Sequence, residues 1–372
     1  MKKKIKIVCI AGTRPNFIKI APLFEEFKKE KRFKLILIHT GQHYDFEMSQ
    51  IFFEGLKIPK TDYNLGVGSV NNAEQTVKIM IKLEPILIKE KPDLVMVVGD
   101  VNSTLAGALT SAKLSIPVAH IEAGARGVDP KTPEEINRLL ADHISDFLFT
   151  ASDIENSHLL KENIRREKIF LVGNTMTDTL LKYKKKKIQS SIYKKLKLQK
   201  GKYAVLTLHR ARIVDNIKNL KEILEAIKTI SQKITVIFPI HPRTKKMIKI
   251  FKLERYLSEI SNLVLIKPVS YLDMIDLLKN SKMVLTDSGG LQHETTILGI
   301  PCLTFDETAV WPITVEKGTN LVTGVSKERI IKEAFKIINN DNSSLGKKIK
   351  IPKYWDGKTS QRIIKILKRF FL

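Results

Sequence analysis

A chain of 372 residues, 43% hydrophobic and 28% charged, has the make-up of a soluble globular protein and enough length for two cores. Its net charge is 64 − 39 = +25, but the Lys excess lies in scattered runs (2–4, 184–187, 245–246) without interleaved aromatics, so a solvated surface that draws anions is expected and no specific nucleic-acid partner. Two cysteines, Cys9 and Cys302, exclude a disulfide framework or a cysteine-based metal site, and no apolar run is long enough to span a membrane.

Apolar runs and helical periodicities alternate along the chain. The first run, 5–10, follows a basic start that imitates the front of a secretory signal. Lys6 interrupts it and Thr13-Arg14-Pro15 follows at once, so a cytoplasmic protein is expected. Strands are predicted at 5–10, 33–38, 94–98, 118–121, 147–149 and 169–172, with helices at 18–29, 73–89, 104–113 and 134–143. Near-continuous apolar strands alternating with helices specify a parallel sheet covered on both faces. A Lys-dominated stretch, 182–202, breaks the pattern, apart from a helix-like 192–198. Strands then resume at 203–208, 234–238, 263–266, 283–286 and 301–305. The fold expected is α/β, with two doubly wound parallel-sheet domains at 1–181 and 200–355 and the ligand crevice between them, outside the carboxyl ends of the strands. A last helix, 360–371, is apolar at Ile363, Ile364, Ile366, Leu367, Phe370 and Phe371 and is expected to cross back onto the first domain.

Chemistry-bearing residues gather where the predicted strands stop. The stretch Val284-Leu-Thr-Asp-Ser-Gly-Gly-Leu-Gln-His-Glu294 reads as strand, small-residue turn and helix start. Ser288, Gly289 and Gly290 let backbone N–H groups and the helix dipole meet a phosphate. Glu294, six residues past Ser288, is within reach of a sugar hydroxyl on the bound phosphate. After the first strand, Arg14 and Lys19 are placed to meet an anion. Thr40-Gly-Gln42-His43 ends the second. Asp100 and Glu122 stand at the next two tips, and Glu134, Glu135 and Arg138 ride on the helix that Pro133 opens. His209 and His241 follow the first two strands of the second domain. Taken singly, Asp100 reads as a helix cap, Glu134 as a first-turn carboxylate favoured by the dipole, and the histidines as buried hydrogen-bonded residues. Taken together, three carboxylates at neighbouring tips repel one another, which is a poor arrangement for stability and a good one for proton transfer. No metal-ligand spacing such as His-x-x-x-His occurs, and Arg14, Lys19 and Arg138 supply cationic neutralisation, so no metal is expected.

Gly12-Thr-Arg-Pro-x-x-Ile-Lys-x-Ala-Pro-Leu23, Thr40-Gly-Gln-His43, Gly99-Asp100, His120-x-Glu-Ala-Gly124, Pro133-Glu-Glu-x-Asn-Arg138, Gly173-Asn-Thr175 and Asp287-Ser-Gly-Gly-x-Gln-x-Glu294 resemble, in order and spacing, the non-hydrolysing UDP-N-acetylglucosamine 2-epimerases. The resemblance implies a GT-B fold of two Rossmann-like domains with the site in the interdomain cleft. It implies reversible C2 inversion of a UDP-2-acetamido sugar by loss and re-addition of UDP through 2-acetamidoglucal, with no cofactor or metal, in a homodimer. By motif, Asp100, Glu122 and Glu134 are the catalytic carboxylates and His209 stands near the departing phosphate. Arg14, Lys19, Gln42, Arg138, His241, Ser288, Gly289, Gly290 and Glu294 bind UDP or the sugar, with Glu294 on the ribose.

The chain departs from that family in places. After its histidine the family has Arg-Arg-Glu-Asn or Arg-Ala-Glu-Asn, whereas this chain has Arg210-Ala-Arg-Ile213. Gln-Glu-Glu becomes Gln292-His-Glu294. Arg-x-x-Thr-Glu-Arg-Pro becomes Asp306-Glu-Thr-Ala-Val-Trp-Pro312, with Asp306 and Trp311 where arginines are expected, and Trp cannot replace a bidentate guanidinium. Gly-Leu-Arg-Ser becomes Gly124-Ala-Arg-Gly127. These changes point to an altered sugar or phosphate contact, with a UDP-2,3-diacetamido-uronic acid as the alternative substrate, and bring substrate activation into question. A hydrolysing 2-epimerase, a GT-B glycosyltransferase and a non-catalytic polyanion binder are the competing readings.

Overall fold

The computed structural model describes residues 4–42, 58–127, 129–184, 191–339 and 350–372. Contacts divide the chain into two units, Met1–Lys182 with Lys353–Leu372, and Tyr183–Pro352. Each is a parallel sheet with helices packed against it.

The first sheet contains β1 (Ile5–Ala11), β2 (Phe33–His39), β3 (Tyr63–Asn64), β4 (Leu94–Val98), β5 (Val118–Ile121), β6 (Phe147–Thr150) and β7 (Ile169–Leu171), in spatial order β3-β2-β1-β4-β5-β6-β7. Every pairing is parallel, with Ile7 opposite Leu35 on one side and Leu94 on the other. Residues 7–11 of β1 and all of β4 are buried, which is why both strands read as unbroken apolar runs. The second sheet contains β8 (Tyr203–Thr207), β9 (Thr235–Pro239), β10 (Leu263–Ile266), β11 (Met283–Thr286), β12 (Cys302–Thr304) and β13 (Asn320–Val322), in order β10-β9-β8-β11-β12-β13. In each sheet the order reverses once, between β1 and β4 in the first and between β8 and β11 in the second. That reversal opens a crevice beyond the carboxyl ends of those strands.

Two short strands, β3 and β13, go beyond the sequence expectation; runs of two and three residues carry too little periodicity to be read. The first helix, Arg14–Lys28, begins four residues earlier than periodicity suggests. The Asn16 side chain sets that start by accepting from the N–H groups of Gly12 and Thr13, both at 3.1 Å. It also donates to the Val98 carbonyl at 2.9 Å, tying the turn after β1 to the end of β4.

The helix Thr359–Phe371 belongs to the first unit and packs on the helix Arg14–Lys28. Phe370 packs edge-on against Phe147 and Phe170 of β6 and β7, and Phe371 lies tilted against Phe147. Trp355, just before it, is buried and donates its indole N–H to the Ala151 carbonyl at 2.9 Å. The helix start is satisfied from another element: the buried Asp178 carboxylate accepts from the N–H of Thr359 (3.0 Å) and of Ser360 (2.7 Å). Replacing Asp178 with Ala strands both donors, so a loss of ~2 kcal/mol of stability is expected in urea unfolding; an unchanged midpoint would show that water replaces the carboxylate there.

Candidate functional site

The crevice of the first unit is built on Gly99, which ends β4 with φ of +70°. The positive φ favours glycine there, and a Cβ would also crowd Lys19 Nζ at 3.0 Å, under the ion pair that closes over it. Lys19, on the first helix, and Glu122, just past β5, form that pair, and both are buried. Glu122 has φ of +68°, an uncommon conformation for a residue with a Cβ and one that stores strain. Its second oxygen, Oε1, is buried without a hydrogen-bond partner among the described residues. The two oxygens of one carboxylate thus sit in unlike surroundings, Oε2 on a cation and Oε1 without one.

Asp100 lies one residue beyond Gly99, its carboxylate on Arg138 at 2.9 Å and its carbonyl on the Asn137 side chain at 2.9 Å. The second arm of Arg138 meets Glu135 at 2.6 Å. Both Asn137 and Arg138 come from the helix Pro133–Ile144, which opens with Thr132 accepting from the Glu135 N–H. Glu134, in the same first turn, is exposed, whereas Glu135 is buried and also accepts from Gly127 N–H at 2.7 Å. Four residues separate Glu134 from Arg138, so the two side chains share one helix face. Below the strand tips lies Asp142. Its carboxylate meets His120 Nδ1 at 2.7 Å, Gly124 N–H at 3.0 Å and Arg126 at 2.8 Å, while His120 Nε2 meets the Gly99 carbonyl at 2.8 Å. Burial alone would raise the Asp142 carboxyl; His120 and Arg126 outweigh it and hold it below the usual range.

In the second unit, Asp287 ends β11 and holds the turn after β8. Its carboxylate accepts from the backbone N–H of His209 (2.7 Å) and Arg210 (2.8 Å) and meets His209 Nδ1 at 2.8 Å. Burial would raise Asp287, but His209 and the two amides reverse that and keep it low. The His241 ring lies 5.7 Å from that of His209 and accepts from Arg243 N–H, opening the helix Pro242–Ile250. Ser288 is the N-cap of the helix Gly289–Leu298 but makes no side-chain cap bond, so its hydroxyl leaves the first-turn amides at Gly289 and Gly290 untaken. Val310 packs so closely over Gly289 that a Cβ there would meet its Cγ2 at 2.9 Å. Glu294, two turns in, is fully buried beside Tyr271. Burial pushes its carboxyl up to about 7, and the hydrogen bond with Tyr271 offsets part of the rise.

Of the residues anticipated from sequence, the first unit brings Lys19, Asp100, Glu122 and Arg138 together at the β4 and β5 tips, with Glu134 one helical turn from Arg138. Arg14 is half-buried as the first residue of its helix. Gln42 is buried, with its side-chain oxygen taken by the Ser103 hydroxyl at 2.7 Å; His43 lies outside the described residues. The second unit gathers His209, His241, Ser288, Gly289, Gly290 and Glu294 around the β8 and β11 tips. Sequence reading passed over Asn16, Asp142 and Asp287 as side-chain anchors. Most of their partners lie on other elements, and only the capping type of Asn16 beside Thr13 and Pro15 gave a local sign. Among the described residues no group of acidic, His or Cys side chains is arranged to hold a metal, and no helix is long and apolar enough to cross a membrane.

A family model described as UDP-N-acetylglucosamine 2-epimerase matches residues 25–368. A Methanocaldococcus jannaschii protein named UDP-N-acetylglucosamine 2-epimerase is 44% identical over 369 residues, 98% of this chain and 99% of that one. The crystal structure of the M. jannaschii UDP-GlcNAc 2-epimerase in complex with UDP-GlcNAc and UDP superposes with a TM-score of 0.89 at 43% identity, covering 98% of this chain and all of that one. A Pseudomonas aeruginosa UDP-2,3-diacetamido-2,3-dideoxy-D-glucuronate 2-epimerase is 38% identical, covering 98% of this chain and 99% of its own.

The environment of Glu294 sets a pH dependence. The unfolded chain ionises this group near 4.5 and the folded chain near 7, so the fold holds the proton more firmly. Its stabilising contribution is full below about pH 4.5 and is lost as pH rises through about 7, on the order of 3 kcal/mol across the window. Glu294→Gln is expected to flatten that decline in urea unfolding at pH 5 and pH 8; a parental slope retained in the variant would place the titration elsewhere.

Proposed function

The chain belongs to the UDP-N-acetylglucosamine 2-epimerase family, and from that premise we propose that it interconverts UDP-N-acetylglucosamine and UDP-N-acetylmannosamine at crevices built as described. The observation that carries the reading is Glu122, strained and buried, with Oε2 on Lys19 and Oε1 unpartnered. C2–H is weakly acidic. It loses its proton only as the C1–O bond breaks, the bonding pair leaving with UDP and the C–H pair forming the C1=C2 bond of 2-acetamidoglucal. Return of a proton to the opposite face of C2, with UDP adding back at C1, gives the epimer. Two faces of one carbon need proton-handling groups on both sides, and Asp100, Glu122 and Glu134 supply them. Lys19 and Arg138 offset the mutual repulsion of these carboxylates.

The diphosphate is assigned to the second unit. The uncapped amides at Gly289 and Gly290 and the helix dipole receive it, His209 and His241 stand beside it, and Glu294 takes the ribose hydroxyls. Negative charge developing on the leaving oxygen meets donors already in place. In this reading the sugar spans from the second unit's phosphate seat to the first unit's carboxylates, in the cleft of a GT-B fold. None of these steps calls for a redox cofactor.

A homodimer is part of the same proposal. Two helices of the first unit, Asn72–Glu90 and Pro133–Ile144, each packed on Asn102–Lys113, leave Val77, Ile81, Ile88, Ile136 and Leu140 exposed. Helices packed ~10 Å apart over this length give a face on the order of the ~800 Å² per partner that a stable dimer needs. A second copy of the chain is the occupant.

Two experiments follow. Incubation with UDP-N-acetylglucosamine in deuterated water is expected to give both epimers carrying deuterium at C2. Glu122→Gln is expected to lower that exchange ~100- to 10,000-fold; inversion without exchange, or a fully active Glu122→Gln, would remove the proton-transfer reading. The wild-type chain is expected to sediment as a dimer and the Ile81→Asp/Leu140→Asp variant as a monomer, whereas a monomeric parent would reject the assigned face.

A further inference from the structure

The segment from Asp306 to Pro312 is where this chain differs most from its family's motif, and it touches both anion-facing turns of the second unit. At one end, the Asp306 carboxylate is buried at the tip of β12. Its Oδ1 accepts from the Glu307 N–H at 2.9 Å, and its Oδ2 takes Arg210 at 3.4 Å together with a close contact from Arg212. Its carbonyl accepts from Gly324 N–H at 3.0 Å, so the acid is fixed from every side before it meets the arginines. At the other end, Val310 lies over Gly289, and Trp311 N–H reaches the Gln292 side chain at 3.5 Å.

We infer that Asp306 is a positioning residue for the His209 turn, acting through Arg210 and Arg212. The turn is then held by acids at two neighbouring strand tips. Asp287 takes the His209 ring and the amides of His209 and Arg210, while Asp306 takes the guanidiniums that follow. The signs of the partners are informative. The family motif carries Glu at the position of Arg212 and Arg at the position of Asp306; here each position bears the opposite charge, and the two residues meet. A lone change at either position would bring like charges together next to a phosphate seat, whereas the joint change preserves one ion pair. Two apparent losses from the motif are therefore one exchange.

The inference rests on the proposed function for its kinetic consequence, and the test separates the two. Asp306→Asn removes the carboxylate charge that Arg210 and Arg212 share without removing a phosphate contact. It is expected to lower kcat ~tenfold or more while UDP affinity stays within ~threefold. Arg212→Glu and Asp306→Arg are each expected to be at least as impaired, and the double variant to return to within ~threefold of the parent, the coupling that a direct charge pair gives in a double-mutant cycle. The His209 imidazole NMR signal is expected to move in each single variant and to return in the double. That signal reads the positioning even if the parent fails to exchange C2 hydrogen, an outcome that would reject the proposed function alone. The inference is overturned if the double variant is no more active than the weaker single and its His209 signal stays displaced. It is equally overturned if Asp306→Asn keeps its kcat, or loses melting temperature, UDP affinity and kcat in step, as a merely structural residue would.

Discussion

The turn that carries Glu122 depends on one buried carboxylate. Asp142 takes His120 before it, the Gly124 N–H after it and Arg126 beyond. Arg126 is itself gripped by Glu162 through two bonds of 2.6 and 2.7 Å. Held on both sides, Glu122 keeps a positive φ that an unconstrained turn would relax, and its carboxylate stays over Gly99. Removing one member of such a buried network leaves an uncompensated charge, a loss of ~3–5 kcal/mol in other proteins, so the geometry of Glu122 is coupled to the stability of the fold.

The second unit repeats the device with different residues. Asp287 binds a histidine ring and backbone amides at the strand tip next to the order reversal, as Asp142 binds His120 and Gly124. In both units the acid lies deep and the group it orients lies toward the crevice. Buried parallel strands impose this division of labour. Their sides are covered by helices and are mostly apolar, with buried polar residues such as His120, Thr286 and Asn320 few and hydrogen-bonded or paired, so polar chemistry gathers at the carboxyl ends, and the turns there need anchors from neighbouring elements.

That confinement explains what could be read from sequence. The alternation of apolar runs and helical spacing reports both sheets, and residues following a strand end are local enough to be singled out, as Lys19, Asp100, Glu122, His209 and Glu294 were. Partnerships are not local. Nothing in the spacing says that Asp142 reaches His120 or that Asp306 reaches Arg212, because 22 residues separate the first pair and 94 the second. The adjacent acids Glu134 and Glu135 read alike in sequence, yet the helix turns one to solvent and buries the other against Gly127 and Arg138. Compared position by position with a family motif, Arg212 and Asp306 look like two separate defects; only their contact reveals a compensated exchange.

Charge follows the same logic at two scales. At the strand tips, Lys19, Arg126, Arg138, Arg210 and Arg212 each face a carboxylate, so the crevice cations are largely balanced by local acids. The excess of +25 is therefore carried mainly by the solvated Lys surface rather than by the site. A UDP-sugar bearing two phosphate charges is attracted by that surface only within about a Debye length, ~8 Å at physiological salt, and its final contacts are set by short-range donors. Encounter weakens with salt while the buried ion pairs, shielded from solvent, keep their geometry.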